Sequence, residues 1–483
     1  MARVAVALTL FLALANGQGT FRLSNYYQND MVLQMAPKRS LIWGFGEVGA
    51  RIEVNYENIQ IVAGVDADGT WKVSIPEHDA GGPINFEIIH NNVDTINLSA
   101  WFGDVWVCSG QSNMEMTINQ IYNATEETNT AITYQNIRLL QLANSFSLDT
   151  ELAEATSYSI PWGAPSASNV PGFSALCLLF GERLSQALGN SRPIGLIDST
   201  WGGTRIEAWF SSRVPIYCLT PPNDGTDANS ESALWNAMIA PLTKTSVRGA
   251  IWYQGESNVG WNPGYYACHI AALIEDWKNT FYDAKVAAEN GVAFPFGVVQ
   301  IGPTERGEDY AWGALRFHQT ADRGVIPSAF IPEGFFATAY DLTDRDAPTG
   351  DIHPRDKQTV ADRLSNSART LIYGETFSAN GPIPIDSFFE SPDRFVIVYD
   401  RNIRIAGTEG FAFQRADGTW SPTTVATSTA NSVFVAVDAD AVLLTYAYRA
   451  TVCEYKQCAV YSNDAEDLPA QVWNWDVTQA RRL

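Results

Sequence analysis

Ser112 stands where a buried-looking apolar run, Val105-Trp106-Val107-Cys108, gives way to the small polar turn Gly110-Gln111-Ser112-Asn113-Met114. A hydroxyl is a poor nucleophile until a base takes its proton, so a working serine must sit on an exposed, fixed turn within reach of such a base. Glycine at 110 permits a turn of that kind. Taken alone, the segment reads as an ordinary strand-to-loop turn rich in Ser and Asn. Three later stretches change that reading. Ser199-Thr200-Trp201-Gly202-Gly203-Thr204 carries two glycines, where a backbone N–H can come close to a ligand and point at a developing oxyanion. Gln254-Gly255-Glu256-Ser257-Asn258 offers two side-chain amides, each able to donate to the same charge. Gly350-Asp351-Ile352-His353-Pro354 supplies a base. Pro354 biases His353 away from helix, so Asp351 and His353 fall on the same side of an extended turn, where Asp351 could orient the imidazole. His78 and His90 lie in a β-rich segment and His269 and His318 inside helical patterns, which leaves His353 as the histidine on a sheet-edge loop.

These residues need a scaffold that brings loop ends together. From about Trp101 strands alternate with amphipathic helices, the pattern of a parallel α/β sheet. Phe173 to Leu188 and Tyr266 to Phe281 recur at helical spacing, and a helix is expected from about Arg355 to Tyr373 with Pro354 at its start. Strands are expected at Gly195–Asp198, Ala250–Tyr253, Phe296–Ile301 and Phe335–Ala339. All four candidate motifs follow such strands, and open parallel sheets bind ligands beyond the carboxyl ends of their strands. On either side the pattern is short β-runs: a small β-sandwich over about 18–100, with Asp66-Ala67-Asp68-Gly69 as a hairpin tip, and a second β-rich region over 376–483. The catalytic domain is then 101–375.

Composition limits the partners. Of 483 residues, 31 are basic and 53 acidic, giving a net charge of −22, which argues against nucleic acid or an anionic membrane surface as partner. Residues 1 to about 17 hold Arg3, an apolar run from Val4 to Ala15 and then small residues, which reads as a removed secretory signal, and no later stretch is apolar for long enough to insert in a membrane. Secretory routing allows disulfides, and Cys453 and Cys458 are spaced to close a small loop. Cys218 and Cys268 are exposed enough by context to pair, with their connectivity left open by the sequence, while Cys108 and Cys177 read as buried apolar-run residues. Asn97 and Asn123 begin glycosylation triplets, which fits a secreted or lysosomal destination.

From about Phe21 to Tyr461 the chain resembles the sialate O-acetylesterases, within the wider SGNH-type (GDSL-like) serine esterases. The likeness rests on Gly103-Asp104-Val105-Trp106 leading into Ser109 to Met114, on Ser199 to Trp209, on Trp252 to Asn258 and on Ile352 to Gln358. It implies a flavodoxin-like three-layer α/β/α catalytic domain with β-rich flanks, and removal of O-acetyl groups from sialic acids, typically at the 9-position. By this resemblance Ser112 is the nucleophile and His353 the base. The oxyanion donors are the N–H groups of Ser112 and Gly203 with an amide from Gln254 or Asn258. Not all members carry an acid where Asp351 stands, so Asp341, Asp344 and Asp346 are rival orienters. Sialic acid or a sialoglycoconjugate brings a carboxylate to an acidic protein, and Arg205 and Arg355 are the cations expected to receive it. Neither a metal nor a cofactor enters this chemistry. The same loops would also serve an acetylesterase acting on polysaccharides such as xylan, and a non-catalytic glycan-binding protein is the reading from another class.

Overall fold

The computed structural model describes residues 21–214, 218, 225–281, 294–305 and 310–482, so the signal expected over 1–17 lies outside the described residues. Its axis is one long strand, β1 (Asp94–Gly110), whose two halves have different burial patterns. The first half alternates between exposed and buried residues and pairs with Gly81–His90 and Met31–Gln34. The second is buried throughout, because it pairs in parallel on both sides inside the central sheet. The strand therefore runs without a break through residues 100 and 101 and belongs to both the N-terminal sheet and the central one.

The central sheet also contains β2 (Ile137–Leu142), β3 (Tyr158–Gly163), β4 (Ile194–Thr200), β5 (Gly249–Tyr253), β6 (Phe296–Gln300) and β7 (Gly334–Thr338), in the order β3-β2-β4-β1-β5-β6-β7. All are parallel except β3, which runs antiparallel to β2. Helices cover both faces. The register places Trp106 and Phe335 on one face, where Phe180 of α1 (Ala175–Ala187) packs edge-on to Trp106. Trp252 and Phe296 point the other way, towards Trp277 of α2 (Tyr266–Thr280). Two further packing elements are the short α3 (Ala311–His318) and the longer α4 (Lys357–Tyr373), the latter against α1. Among the described residues no helix is long and apolar enough to cross a membrane. C-terminal β-sandwich sheets, centred on Arg394–Tyr399 and on Phe411–Arg415 with Ala441–Tyr446, carry a second hydrophobic core.

Three sequence expectations need correction. The Asp66–Gly69 turn exists, with Asp66 N–H donating to the Thr70 carbonyl at 2.7 Å, but it is not a hairpin tip. The strand before it, Ile59–Gly64, pairs with Arg51–Tyr56, and the strand after it, Thr70–Ile75, pairs with Ser40–Phe45 in another sheet. Cys108 and Cys177 are buried, as expected, but they are joined in a disulfide that links β1 to α1. α4 starts at Lys357 rather than Arg355, because Asp356 caps it by accepting from Thr359 N–H at 2.9 Å. Cys453–Cys458 is a disulfide, in line with its expected pairing, and Cys218 and Cys268, whose connectivity the sequence leaves open, are joined to each other.

The sandwich is joined to the central sheet by Arg316 of α3, a fully buried side chain. Its five N–H groups meet five backbone carbonyls: Ile301 and Gly302 just past β6, and Ala447, Arg449 and Ala450 of the C-terminal region, all between 2.7 and 3.1 Å. Burial pushes its pKa down to about 9, and the matched carbonyls compensate for the lost water. Arg316→Met removes every donor at once and is expected to cost ~3 kcal/mol or more. Urea unfolding measures this directly, and an unchanged midpoint would refute the role.

Candidate active site

Parallel pairing puts the motifs at one level. Ser109 lies opposite Ser199 on β4 and Trp252 on β5, and Gly110 opposite Thr200 and Tyr253, so the three loops leave the sheet together. Gly110 adopts a φ of 137°, a region favouring glycine, and a β-carbon there would collide with the Tyr253 carbonyl. Gln111 fastens the turn: its N–H donates to Tyr253 O at 3.0 Å and its side-chain oxygen accepts from Ser257 N–H at 3.1 Å. Ser112 then opens the short helix Ser112–Glu115 and is half-buried. Two other serines of these motifs are placed differently: Ser109 is buried in β1, and Ser199 is buried and donates to the Met238 carbonyl at 2.9 Å.

His353 Nε2 lies 2.9 Å from Ser112 Oγ, and its Nδ1 lies 2.8 Å from the Thr349 carbonyl oxygen. A carbonyl only accepts, so Nδ1 carries the proton and the Nε2 lone pair faces the serine hydroxyl. That is the tautomer a general base requires. The loop holding His353 is closed by Arg355, whose Nε and one terminal nitrogen donate to Asp344 at 2.7 Å each, while its backbone N–H donates to the same carboxylate at 3.0 Å. This pairing raises the Arg355 pKa and lowers that of Asp344. Opposite the serine, Gly202 lies against its Cβ, and Gly202 N–H donates to Glu115 Oε2 at 2.8 Å. The next residue, Gly203, is exposed with φ 74°. Among the described residues neither Ser112 N–H nor Gly203 N–H has an acceptor.

Several expected partners are placed otherwise. Asp351 accepts from Thr304 Oγ1 at 2.7 Å and from Glu305 N–H, and the contact at His353 Nδ1 is the Thr349 carbonyl. Among the rival acids, Asp341 takes two bonds from Arg363, at 2.7 and 2.8 Å, and one from Tyr461 at 3.0 Å, while Asp344 holds Arg355. Gln254 and Asn258 are fully buried. The Gln254 amide donates to Asn258 Oδ1, Gln111 Oε1 and Thr204 O at 2.8 to 3.1 Å, and the Asn258 amide donates to Glu207 at 2.8 Å and Trp261 O at 3.3 Å. Both NH₂ groups thus face protein acceptors, in contrast to the expectation that one of them completes the oxyanion hole. Arg355, expected to receive a substrate anion, has its charge balanced by Asp344. Arg205 lies over the Trp261 ring, 3.7 Å from its centroid. Asn97 and Asn123 are exposed.

Sequence reasoning missed Thr349, Glu115 and a buried set behind the turn, Asn113, Glu256 and Lys357. A backbone carbonyl has no sequence signature, but the other four lie inside or directly beside the motifs.

Residues 102–303 match the family described as carbohydrate esterase, sialic acid-specific acetylesterase, and the chain is accordingly a carbohydrate esterase. Residues 387–477 match the sialate O-acetylesterase C-terminal domain. The chain is 39% identical to the sialate O-acetylesterase of Homo sapiens over 93% of this chain and 91% of that protein, and 35% identical to that of Rattus norvegicus over 98% of each. Its fold matches a carbohydrate acetylesterase from Xanthomonas citri with a TM-score of 0.78 at 27% identity, covering 94% of this chain and 99% of the other. The chain belongs to the sialate O-acetylesterase family.

The buried amides generate a prediction. Gln254→Ala and Asn258→Ala should each lower stability by ~1–3 kcal/mol while leaving the kcat of the folded protein within about threefold. An oxyanion donor would instead cost ~10²–10³ in kcat, so kinetics on titrated active sites beside thermal melts separate the two roles.

Proposed function

We propose that the protein hydrolyses O-acetyl esters of sialic acids, with the 9-O-acetyl group preferred, through an acetyl-enzyme on Ser112. The observation that carries this reading is the 2.9 Å contact between Ser112 Oγ and His353 Nε2 in a chain of this family. His353 takes the hydroxyl proton as Oγ attacks the acetyl carbonyl carbon, and the tetrahedral oxyanion is met by Ser112 and Gly203 N–H. The imidazolium then returns the proton to the departing sugar oxygen. Water enters, gives its proton to His353 and attacks the acetyl-enzyme, and acetate leaves as Ser112 is reprotonated. The Thr349 carbonyl holds the working tautomer, while Asp351 secures the loop through Thr304 and Glu305. Asp351→Asn should therefore lower kcat far less than the ~10⁴ seen when a triad carboxylate is replaced.

Strand order supports a flavodoxin-like, SGNH-type domain over 101–375: with edge strands β3 and β2 set aside, β4-β1-β5-β6-β7 is the doubly wound order 2-1-3-4-5. We read 18–100 and 376–483 as flanking β-rich domains. Three disulfides and the exposed glycosylation candidates Asn97 and Asn123 support passage through the secretory pathway to a lysosomal or extracellular site.

Arg205 is the proposed receiver of the sialate carboxylate. It is two residues from Gly203, and among the described residues no carboxylate pairs with its guanidinium. Arg205→Ala should raise KM for acetylated sialic acid at least ~10-fold, the scale of one charge-assisted hydrogen bond, and leave KM for a neutral aryl acetate unchanged. Equal effects on both substrates would mean a structural role.

The function is tested by acetate release from 9-O-acetyl sialic acid, 4-O-acetyl sialic acid and acetylated xylan, with Ser112→Ala and His353→Ala as controls. Release that is fastest from the 9-O-acetyl sugar and absent in both variants is expected. Preference for xylan would replace sialate with a polysaccharide substrate, and activity surviving in Ser112→Ala would overturn the mechanism.

A further inference from the structure

The side chain after the nucleophile and the helix after the base meet in the interior. Asn113 is 1% exposed, Lys357 1% and Glu256 8%. The Asn113 amide donates one hydrogen to the Ile352 carbonyl at 2.9 Å and the other to Glu256 Oε1 at 2.6 Å. Its oxygen accepts from Lys357 Nζ at 2.8 Å, and Nζ also donates to the Pro354 carbonyl at 2.7 Å. Ile352 and Pro354 flank His353. Two buried side chains thus grip the carbonyls on either side of the base, and one of them is the immediate neighbour of the nucleophile.

We propose that Asn113 and Lys357, with Glu256 behind them, are positioning residues that set the distance between Ser112 and His353. The inference rests on the Ser112–His353 reading and deepens it. Nothing in the set faces the exposed side of the turn, so none touches substrate. The arrangement is also specific in its chemistry. The amide orientation is set by two acceptors at nitrogen and a donor at oxygen, and a flipped amide would face its oxygen towards the Ile352 carbonyl and its NH₂ towards Lys357 Nζ. Burial lowers the Lys357 pKa to about 7 against the opposing pull of Glu256, Asp356 and Asp344, and the Tyr253 ring lies 5.6 Å from Nζ. Ammonium and neutral amine each have the two N–H groups that the two acceptors need, so the grip holds on both sides of that pKa. Glu256 Oε2 has no hydrogen-bond partner among the described residues, so the stiffness of the link comes from the Asn113 and Lys357 bonds, which are costly to break at this depth.

Misplacing a reacting group by about 1 Å can cost ~10²-fold in rate. Asn113→Ala and Lys357→Met, measured on titrated active sites so that unfolded protein does not count, should each lower kcat for an aryl acetate by ~10- to 100-fold with KM within about twofold. Because both act through one link, the double variant should be no worse than about threefold below the poorer single one. Lys357→Gln, which keeps one donor arm, stands in if the methionine variant does not fold. Wild-type kcat in folded Asn113→Ala, losses that multiply in the double variant, or a raised KM with unchanged kcat would each overturn the proposal. Ser112→Ala and His353→Ala run alongside: if they stay active, the underlying mechanism fails, and if they are inactive while the Asn113 and Lys357 variants are normal, only the link fails.

Discussion

Gly110 lies so close to the Tyr253 carbonyl that a β-carbon has no room, and the placement of Ser112 follows from that contact. The chain leaves β1 at the level where β4 and β5 also end, and the positive φ of Gly110 turns it across the top of the sheet. Gln111 then bonds back to β5 and to the loop beyond it. A larger residue at 110 would force β1 and β5 apart, disturbing the parallel register that aligns all three loops. The serine is thus a product of sheet geometry, with one residue, Gln111, between strand end and nucleophile.

The parts of the fold that could be read from sequence are those governed by local pattern. β5 and α2 coincide with their expected spans to within a residue, because apolar periodicity along one element reports its own burial. Pairing between elements is a different matter. Asp66–Gly69 has turn chemistry, yet local chemistry does not say which sheet the next strand joins. The change in pattern near residue 100 is real, but it marks the point where one strand passes from a half-exposed sheet to a fully covered one. Cys108 and Cys177 were hidden as a pair by the apolar context that also buries them.

The site divides along the same line. Ser112 and His353 were legible because each is the reactive group of a polar motif just past a strand. Gln254 and Asn258 carry the right functional groups for an oxyanion hole, but their acceptors, Thr204 O, Gln111 and Glu207, come from other loops, and only the assembled sheet brings them together. Those amides instead stitch the loops that bear Ser112 and Gly203. Glu115 makes a comparable tie, fixing Gly202 and hence the direction of the following N–H. The polar residues of these motifs serve mostly to hold a small number of reacting atoms still.

That emphasis on rigidity fits a neutral oxygen behind the imidazole. A carboxylate at Nδ1 both orients the ring and stabilises the imidazolium electrostatically, whereas the Thr349 carbonyl orients the ring as well but offers only a partial charge. In the proposed mechanism, transition-state stabilisation draws on the backbone donors facing the oxyanion and on alignment of base with nucleophile. Alignment has to come from elsewhere in the loop, and the loop is tied at several points: Arg355 to Asp344, Asp351 to Thr304, and the carbonyls of Ile352 and Pro354 to Asn113 and Lys357. The ties from Asn113 and Lys357 use groups away from water, where a hydrogen bond is stronger and its loss more costly, whereas Arg355 and Asp351 are only half-buried. The polar framework around His353 therefore holds in place a base whose Nδ1 is oriented by the Thr349 carbonyl, and a more loosely held loop would leave the same histidine without a fixed position.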